Sequence, residues 1–482
     1  MQSLDAIFIA PPFEHGNETM WKQFDYFFPP YGLAHIASYI RQFGYKSIII
    51  DCLVESKNLL DFENVFREKY YNKVHSKLFA ITAVTPIIDN ALFIADVIKK
   101  LYPESTVVLG GPHPSHLYQE LIKNKNIDII VIGEGEITFK EIIDGNELKE
   151  INGISYKETI NGKSTEFLTP PRERIKNPDI LPIPAYDLLQ MQAYKAPKYS
   201  NQNIPSMSMV TSRGCIGKCS FCSKIFHEVY FMSAERVLAE IEHLYNNYGV
   251  RQIIFYDDTF TIDVKRVKEI CALITERKID IRWTCFARVD CVDYETLVAM
   301  KNAGCEHIMY GVENFNEEVL KKVNKKINIE QVFQAVRLTK KAGITCRVSL
   351  MIGNPGETKA IIKQNMRMIH KLRPDYLQVL IFHPLPGAPL YDHFKNNNLI
   401  TATNWSEFNF TKPLFIHETL SQKTIRNYYI LMYLNFYLSP WFILSQLRKI
   451  FIKNERKRLI WGLKAFVTFV YKNMLLTAKI KK

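Results

Sequence analysis

The sequence feature that most restricts the fold is a loop with three closely spaced cysteines, TSRGCIGKCSFCSK, at residues 211–224. Cys215, Cys219 and Cys222 lie within eight residues, directly after the apolar run MSMVTS. A lone cysteine is usually a small buried hydrophobic residue, and this describes the other six cysteines of the chain. Three thiols in one glycine-containing loop instead predict a metal centre at the end of a strand.

Two kinds of centre fit the three thiols. A zinc ion could take the three thiolates and His227, five residues further on. A [4Fe–4S] cluster could use the three thiolates alone and leave one iron open for a substrate or cofactor. The spacing and the position after a strand favour the cluster, and the zinc-bearing binding module stays as an alternative.

Residues 206–400 contain six apolar β-type runs separated by helical stretches. This pattern predicts six β/α units in an incomplete (β/α)6 barrel, in which the chemistry lies where the strands end. Each run does end in polar residues. The runs are MSMVTS, QIIFYDD, IRWTCFAR, HIMYGVEN, ITCRVSLMIG and YLQVLIFHP.

The segment CIGKCSFC, followed by six β/α units, resembles the radical S-adenosylmethionine (SAM) superfamily. The resemblance implies a [4Fe–4S] cluster on Cys215, Cys219 and Cys222, with the amino and carboxylate groups of SAM on the fourth iron. Cleavage of SAM there yields a 5′-deoxyadenosyl radical, which abstracts hydrogen from an unactivated carbon. The residues then expected to bind SAM lie at the other strand ends: Asp257, Asp258, Arg288, Glu313, Gly353 and Glu357.

Each of these residues could contact SAM or could have a purely structural role. Asp257 and Asp258 could accept hydrogen bonds from the SAM ammonium, Arg288 could pair with the SAM carboxylate, and Glu313 could bind the ribose hydroxyls. The segment GNPGET, residues 353–358, resembles the family's glycine-containing loop near the adenine. The ordinary alternative for each acid is a solvated surface charge or a helix N-cap.

Residues 1–150 alternate short apolar strands with helix-like stretches, which predicts a Rossmann-like open parallel sheet with helices on both faces. No G-x-G-x-x-G turn follows the first strand, so the usual nicotinamide fingerprint is missing. Residues 151–205 are proline-rich and weakly periodic, which predicts an ordered linker.

The first domain also resembles a known type. PPYGLAHIASYIRQFGYKSIIIDC, GGPHPSH and GEGEITF are similar to the cobalamin-binding domain of one large radical SAM subgroup, although no D-x-H-x-x-G is present. The alternative is a degenerate domain whose glycines only form tight turns. The residues expected near cobalamin are Thr85, Gly110, Gly111, His113, Gly133 and Gly135.

The resemblance implies a cobalamin-dependent methyltransferase that acts on an unactivated carbon of a natural product or a lipid. The same subgroup contains the anaerobic cyclase of chlorophyll synthesis, so a cyclase, dehydratase or deoxygenase without methyl transfer is the second hypothesis. Either enzyme needs an external electron donor such as flavodoxin or ferredoxin. If cobalamin binds, both cofactors must face one cavity between the strand ends of the two domains.

Residues 401–482 are helical, aromatic and basic. The stretch Asn427–Leu447 has no charged residue, whereas Lys and Arg outnumber acids 11 to 1 from Arg448 to Lys482. We expect a helical hairpin packed on the barrel or a peripheral contact with an anionic membrane, and no nucleic-acid partner. The start of the sequence has no signal-peptide pattern, so we expect a cytoplasmic enzyme with reduced thiols, with membrane association through the C-terminal region as the alternative.

Overall fold

The computed structural model describes residues 2–13, 29–56, 59–194 and 205–449, together with residues 456, 459–464, 466–468 and 471 of the C-terminal tail. Two main sheets, each mostly parallel, organise these residues, and a helical region follows the second sheet. The fold is therefore α/β, as the alternation of strands and helices predicts.

The first sheet has seven strands in the order β3-β2-β5-β6-β7-β8-β9. Its five parallel strands run 2-1-3-4-5 by chain order, which is a doubly wound arrangement. Ligands in such sheets bind where the order reverses, here between the ends of β2 and β5. The elements are β1 (Gln2–Ser3), β2 (Ala6–Ala10), α1 (Tyr31–Arg41), β3 (Ser47–Asp51), α2 (Cys52–Glu55), α3 (Phe62–Lys69), β4 (Val74–His75), β5 (Leu78–Thr82), α4 (Ile88–Leu101), β6 (Thr106–Gly110), α5 (Pro112–Leu121), β7 (Ile129–Val131), α6 (Glu136–Ile143), β8 (Ile154–Ile160) and β9 (Lys163–Leu168).

The hairpin β8–β9 lies inside the segment predicted as a linker, so that boundary needs a correction. β8 pairs antiparallel with β7, and β9 pairs with β8, which extends the first sheet to Leu168. The two residues of the turn, Asn161 and Gly162, have φ of 51° and 75°. An Asn-Gly pair with positive φ is the preferred two-residue hairpin turn. The connection between the sheets is therefore shorter than 151–205 and begins after Leu168.

The second sheet contains six parallel strands in sequential order, and all six correspond to the predicted apolar runs. Local sequence explains the helix ends: Ser233 accepts the Arg236 N–H at 3.1 Å to start α7, and Gly249 ends that helix with φ of 64°. The elements are β10 (Ser206–Met209), β11 (Ser212–Arg213), β12 (Tyr230–Phe231), α7 (Ala234–Tyr248), β13 (Gln252–Phe255), α8 (Val264–Glu276), β14 (Arg282–Ala287), α9 (Tyr294–Asn302), β15 (Cys305–Glu313), α10 (Glu317–Lys322), α11 (Ile329–Lys341), β16 (Thr345–Ile352), α12 (Lys359–Leu372), β17 (Tyr376–Ile381) and α13 (Pro389–Asn396).

Helix α14 (Gln422–Tyr437) covers the edge strand β17, and α15 (Pro440–Lys449) follows it. The Tyr433 hydroxyl bonds the N–H and C=O of Val379 at 2.9 and 3.0 Å. Tyr437 does the same to Leu377 at 3.3 and 2.8 Å, so the open sheet edge is covered. This confirms the expected packing of helices against the second sheet.

No single helix in the described ranges is long and apolar enough to cross a membrane. Helix α14 and the part of α15 up to Leu447 are together long and apolar enough for a membrane span, but a break bends them by 49° relative to each other.

A buried group of ion pairs joins the two sheets next to the cysteine loop. Arg213, two residues before Cys215, bonds Glu136 at 2.5 Å and Glu134 at 3.3 Å, and both acids follow β7 of the first sheet. Arg174 approaches Glu134 at 3.8 Å, and the Ile175 N–H donates to the same carboxylate at 2.8 Å. The GEGE segment therefore binds the second domain and is not a solvent-exposed turn.

We expect the substitution Arg213→Met to lower the free energy of unfolding by about 3–5 kcal/mol, because it leaves Glu134 and Glu136 buried without their main cation. Burial raises the pKa of Glu136, but Arg213 outweighs this effect and lowers that pKa overall. The stabilisation is therefore present at neutral pH and is lost as the pH falls through the lowered pKa. Urea unfolding of the cluster-free protein at pH 7 and pH 4 measures both effects.

The matched control is Arg41→Met. Arg41 pairs with Asp187 at 2.9 Å, but both side chains are about half exposed, so the loss should stay below about 1 kcal/mol. Equal losses for the two variants would contradict a special role for the buried group.

Candidate active site at the strand ends

The three cysteines of the loop lie together at the carboxyl end of β10. Cys215 and Cys219 are buried and Cys222 is partly buried, and all three are free thiols. The Cys222 N–H donates to the Cys219 carbonyl at 3.2 Å, which folds the loop back on itself. The sulfur of Cys215 lies 3.9 Å from Thr259 Oγ1, at the end of the neighbouring strand β13.

Two cations, Arg288 and Lys224, lie beside Gly217 of the cysteine loop. A Cβ atom added at Gly217 would lie 3.4 Å from both Arg288 Nη1 and Lys224 Nζ, and 3.5 Å from Cys215 Sγ. Glycine is thus the residue that leaves this space open. Burial raises the pKa of Cys222 to about 12. Burial therefore disfavours a bare thiolate at this position, and a metal ion bound to the sulfur would offset that cost.

These contacts fit an iron–sulfur cluster better than a single zinc ion. Across the described ranges, no three His, Cys, Asp or Glu side chains are close enough together to hold one metal ion. His227, the predicted fourth zinc ligand, is exposed. Three thiolates are enough for a four-iron cluster that leaves one iron open, whereas a structural zinc site needs a fourth ligand.

The two neighbouring aspartates after β13 have different environments. Asp257 is buried and accepts hydrogen bonds from the Thr211 N–H at 3.1 Å, the Thr211 hydroxyl at 2.9 Å and the Ser212 hydroxyl. It therefore holds the start of the cysteine loop. Asp258 is exposed and accepts no hydrogen bond within the described chain, and its negative charge also raises the pKa of Cys222. Asp258 is the aspartate placed to meet a ligand.

Arg288 is fixed in place beside the loop. Its Nε and Nη2 donate to Asp290 at 3.0 and 2.8 Å, and Nη2 also donates to the Lys326 carbonyl at 3.1 Å. These bonds leave Nη1 directed at Gly217 of the cysteine loop. A fixed guanidinium with one free edge can bind a carboxylate.

Glu313 ends β15 in a strained conformation. Its φ is 67°, which is uncommon for a residue other than glycine, asparagine or aspartate, and the pairing with β16 shifts register between Gly311 and Glu313. Glu313 Oε1 pairs with Lys325 at 3.1 Å, and both side chains are largely buried. Such strain is concentrated at functional sites. Lys325 lies three residues after α10, and no sequence motif indicates that it pairs with Glu313.

The GNPGET loop is held by an internal carboxylate. Glu357 is buried and accepts the Gly353 N–H at 2.7 Å, the Asn354 N–H at 3.3 Å and the Asn314 amide at 2.7 Å. Burial raises its pKa to about 7. Gly353 has φ of 84° and adjoins Phe415. Glu357 therefore shapes the loop, so the expectation that it contacts SAM is replaced by a positioning role.

The first sheet offers polar atoms at its switch point. Thr85 Oγ1 and His113 Nδ1 are hydrogen bonded at 3.1 Å. Burial lowers the pKa of His113 to about 4, and its Nε2 is buried with no protein partner in the described chain. His116 Nε2, on the same helix, is also buried and unpaired there. Unpaired buried nitrogens fit a bound ligand at this edge.

The predicted glycines of the first domain are also needed for packing. A Cβ at Gly111 would lie 2.6 Å from the Ala83 carbonyl, and one at Gly133 would lie 3.3 Å from Phe226. Gly135 packs against Ile36, and Gly110 has only Val131 nearby. Close approach within the protein therefore requires glycine at Gly111, Gly133 and Gly135, and the contact of these glycines with cobalamin stays a prediction.

The carboxyl edges of the two sheets are in contact. Phe226, just after the cysteine loop, packs on Gly133 after β7, and the His116 ring covers Gly387 after β17. Trp405, from the C-terminal region, lies edge-on to His113 with ring centres 4.8 Å apart. The two domains and the C-terminal region therefore contact one another at these strand ends.

Two family models match the chain in the order of its two sheets. Residues 20–143 match the B12 binding domain, and residues 209–369 match the Radical SAM superfamily. An uncharacterized methyltransferase of Pyrococcus horikoshii is 36% identical over 420 residues, which cover 86% of this chain and 88% of that protein. The chain belongs to the radical SAM superfamily.

Two further relatives extend the match over nearly the whole chain. The anaerobic magnesium-protoporphyrin IX monomethyl ester cyclase of Rubrivivax gelatinosus is 26% identical, covering 96% of this chain and 82% of the cyclase. The cobalamin-dependent SAM radical enzyme OxsB, solved with aqua-cobalamin and SAM, superposes with a TM-score of 0.71 at 17% identity and covers 99% of this chain and 72% of OxsB. The cofactors of this radical SAM enzyme are a [4Fe–4S] cluster, SAM and cobalamin.

We expect Cys215→Ala, Cys219→Ala and Cys222→Ala each to lose most of the bound iron, from about four atoms per chain after reconstitution, because each removes one of three thiolate ligands. Iron and acid-labile sulfide assays measure the loss. Cys291→Ala is the control, since that half-buried thiol lies outside the loop and should keep the full content. Zinc without sulfide in the parent protein would contradict the assignment.

Proposed function

We propose that this enzyme is a cobalamin-dependent radical SAM methyltransferase that methylates an unactivated carbon of a natural product or lipid. It would do so between a Rossmann-like domain and an incomplete β/α barrel. The observation that carries the proposal is the contact between the carboxyl edges of the two sheets, where Arg213 joins Glu134 and Glu136 beside the cysteine loop. Such a contact suits a reaction that needs two cofactors at one cavity. The similarity to the 36% identical methyltransferase of Pyrococcus horikoshii supports methyl transfer.

When bound, the cluster would supply an electron for the cleavage of SAM, and cobalamin would supply the methyl group. Cys215, Cys219 and Cys222 would hold the cluster, while Asp257 would keep their loop in place through Thr211 and Ser212.

The SAM-binding roles follow from the polar groups that the fold leaves free. Asp258 would accept hydrogen bonds from the SAM ammonium, and Arg288 Nη1 would pair with its carboxylate. Glu313, oriented by Lys325, would bind the ribose hydroxyls. The backbone at Gly353, shaped by Glu357, would lie along the adenine.

On the first sheet, Thr85 and His113 would contact cobalamin through side chains at the switch point. Gly110, Gly111, Gly133 and Gly135 would contribute backbone that approaches the flat ligand closely. His113 is neutral at physiological pH because burial lowers its pKa to about 4, so it would offer a lone pair or an N–H without a charge.

A radical SAM cyclase, dehydratase or deoxygenase with a degenerate first domain remains the second candidate. Its support is the long match to the anaerobic cyclase and the packing role of Gly111 and Gly133. The two candidates differ in whether cobalamin is retained and whether methyl from SAM reaches a product.

We expect anaerobically reconstituted protein to retain hydroxocobalamin through desalting and to form 5′-deoxyadenosine with SAM and dithionite. The Asp258→Asn variant should bind SAM about tenfold more weakly, since it loses a charge-assisted hydrogen bond, while its iron content stays unchanged. Absorbance spectra, product chromatography and SAM binding measure these outcomes. 5′-Deoxyadenosine without retained cobalamin would reject methyl transfer in favour of the second candidate.

The electron would come from a protein donor, and we propose an acidic one such as flavodoxin or ferredoxin. Lys218 lies between two of the cysteines and is exposed, as are Lys326 and the apolar Ile216. The Asn324 amide bonds the Lys218 carbonyl at 2.6 Å, which places the lysine-rich end of α10 beside the loop. An apolar centre with a basic rim suits a transient acidic partner.

The double variant Lys218→Glu/Lys326→Glu should therefore raise the KM for reduced flavodoxin about tenfold at low salt, because two attractive charges become repulsive. Turnover driven by dithionite should not change. Lys265→Glu, on the outer helix α8, is the control and should alter neither rate. An unchanged KM in the double variant would reject this surface as the donor site. If the parent protein shows no turnover with dithionite, the enzyme assignment itself is rejected.

A further inference from the structure

The C-terminal tail has two faces with opposite environments. The Phe466 ring lies 5.8 Å from Tyr437, and Phe442 of α15 lies 5.4 Å from Phe436, so one face packs on α14. The residues on the other side are large, apolar and exposed. In the described chain they are Leu438, Ile443, Leu444, Leu447, Ile460, Leu463, Val467 and Tyr471.

The spacing of the exposed residues shows that they form a helix face rather than a scatter. Ile460, Leu463 and Val467 belong to the helix Leu459–Thr468, and their separations of three and four residues place them on one side of it. Leu444 is 59% exposed and Leu463 is 64% exposed, values far above those of residues that pack against protein. A contiguous apolar surface of this kind marks an interaction site.

The charge of the chain is concentrated in the same segment. Residues 448–482 contain eleven Lys and Arg and one acid, which leaves a net charge of only +3 for the other 447 residues. Exposed Arg456 and Lys464 lie among the apolar residues of the tail. Of the possible partners, the one that satisfies both an apolar face and a large positive charge is an anionic lipid bilayer.

We propose that the exposed apolar residues of the C-terminal region bind this enzyme peripherally to anionic membranes. These residues enter the boundary between headgroups and acyl chains, while Arg456 and Lys464 contact the lipid phosphates. A second copy of the chain is disfavoured, because each copy carries an excess of ten positive charges in this segment. Nucleic acid would satisfy the charge and leave the apolar face exposed to water.

The experiment uses the full-length protein and vesicles that contain either phosphatidylcholine alone or phosphatidylcholine with one third phosphatidylglycerol. We expect co-sedimentation with the anionic vesicles at low salt, little with neutral vesicles, and a steep decrease with added salt. The variant Leu444→Asp/Leu463→Asp should bind at least about tenfold more weakly, and Arg456→Glu/Lys464→Glu should show a smaller salt dependence, because the net charge of residues 448–482 falls from +10 to +6. Thermal unfolding should be unchanged in both, since these side chains do not pack inside the protein.

Leu60→Asp/Leu168→Asp is the matched control, because both leucines are exposed but lie in the first domain. It should bind like the parent protein. Absence of co-sedimentation at low salt, or equal binding to neutral vesicles, would overturn the proposal. A concentration-dependent dimer in light scattering that the Leu444→Asp/Leu463→Asp variant abolishes would instead assign the face to self-association.

Discussion

The buried pairing of Arg213 with Glu134 and Glu136 is the interaction on which the site depends. It lies two residues from Cys215 and joins the end of β7 to the strand that carries the cysteine loop. A buried ion pair contributes little net stability compared with apolar packing, but it fixes one geometry strongly, because neither charge tolerates a lost partner. The fold thus uses charge to set the orientation of two domains, and leaves stability to the cores of the two sheets.

The same division between positioning and contact runs through the site. Asp257 and Glu357 are carboxylates at strand ends, as ligand-binding residues would be, but both are turned inward and saturated with hydrogen bonds. Each holds a loop: Asp257 the start of the cysteine loop, and Glu357 the GNPGET turn. The groups left for ligands are Asp258, Arg288 Nη1 and Glu313. A site with its loops held from inside can present a few polar groups accurately without a moving part.

The sequence predicted the strands well and the side-chain directions poorly. The apolar runs and the cysteine spacing are local patterns, so all six strands of the second sheet and the position of the cysteine loop were predictable. The Asn161–Gly162 turn is also a local signal, but the strands on either side of it are polar and do not show the apolar pattern of a buried strand. Asp257 and Asp258 are adjacent in sequence, and only the packing of Thr211 and Ser212 decides which of them is buried. The contact of Glu134 with Arg213 depends on the docking of two domains, which one sequence does not reveal.

The C-terminal region explains how the two domain edges stay together away from Arg213. The backbone N–H of Trp405 donates to the Asp89 carboxylate at 3.2 Å and the Trp405 ring packs on His113, while His417 bonds the Asn354 carbonyl at 2.8 Å. The region therefore joins the first sheet to the GNPGET loop, so the two edges are linked at two separate places. Further along, the same region covers β17 with Tyr433 and Tyr437 and then turns its exposed apolar face outward. A contact at that face would therefore lie on the same segment of chain that packs against the strand ends of both sheets.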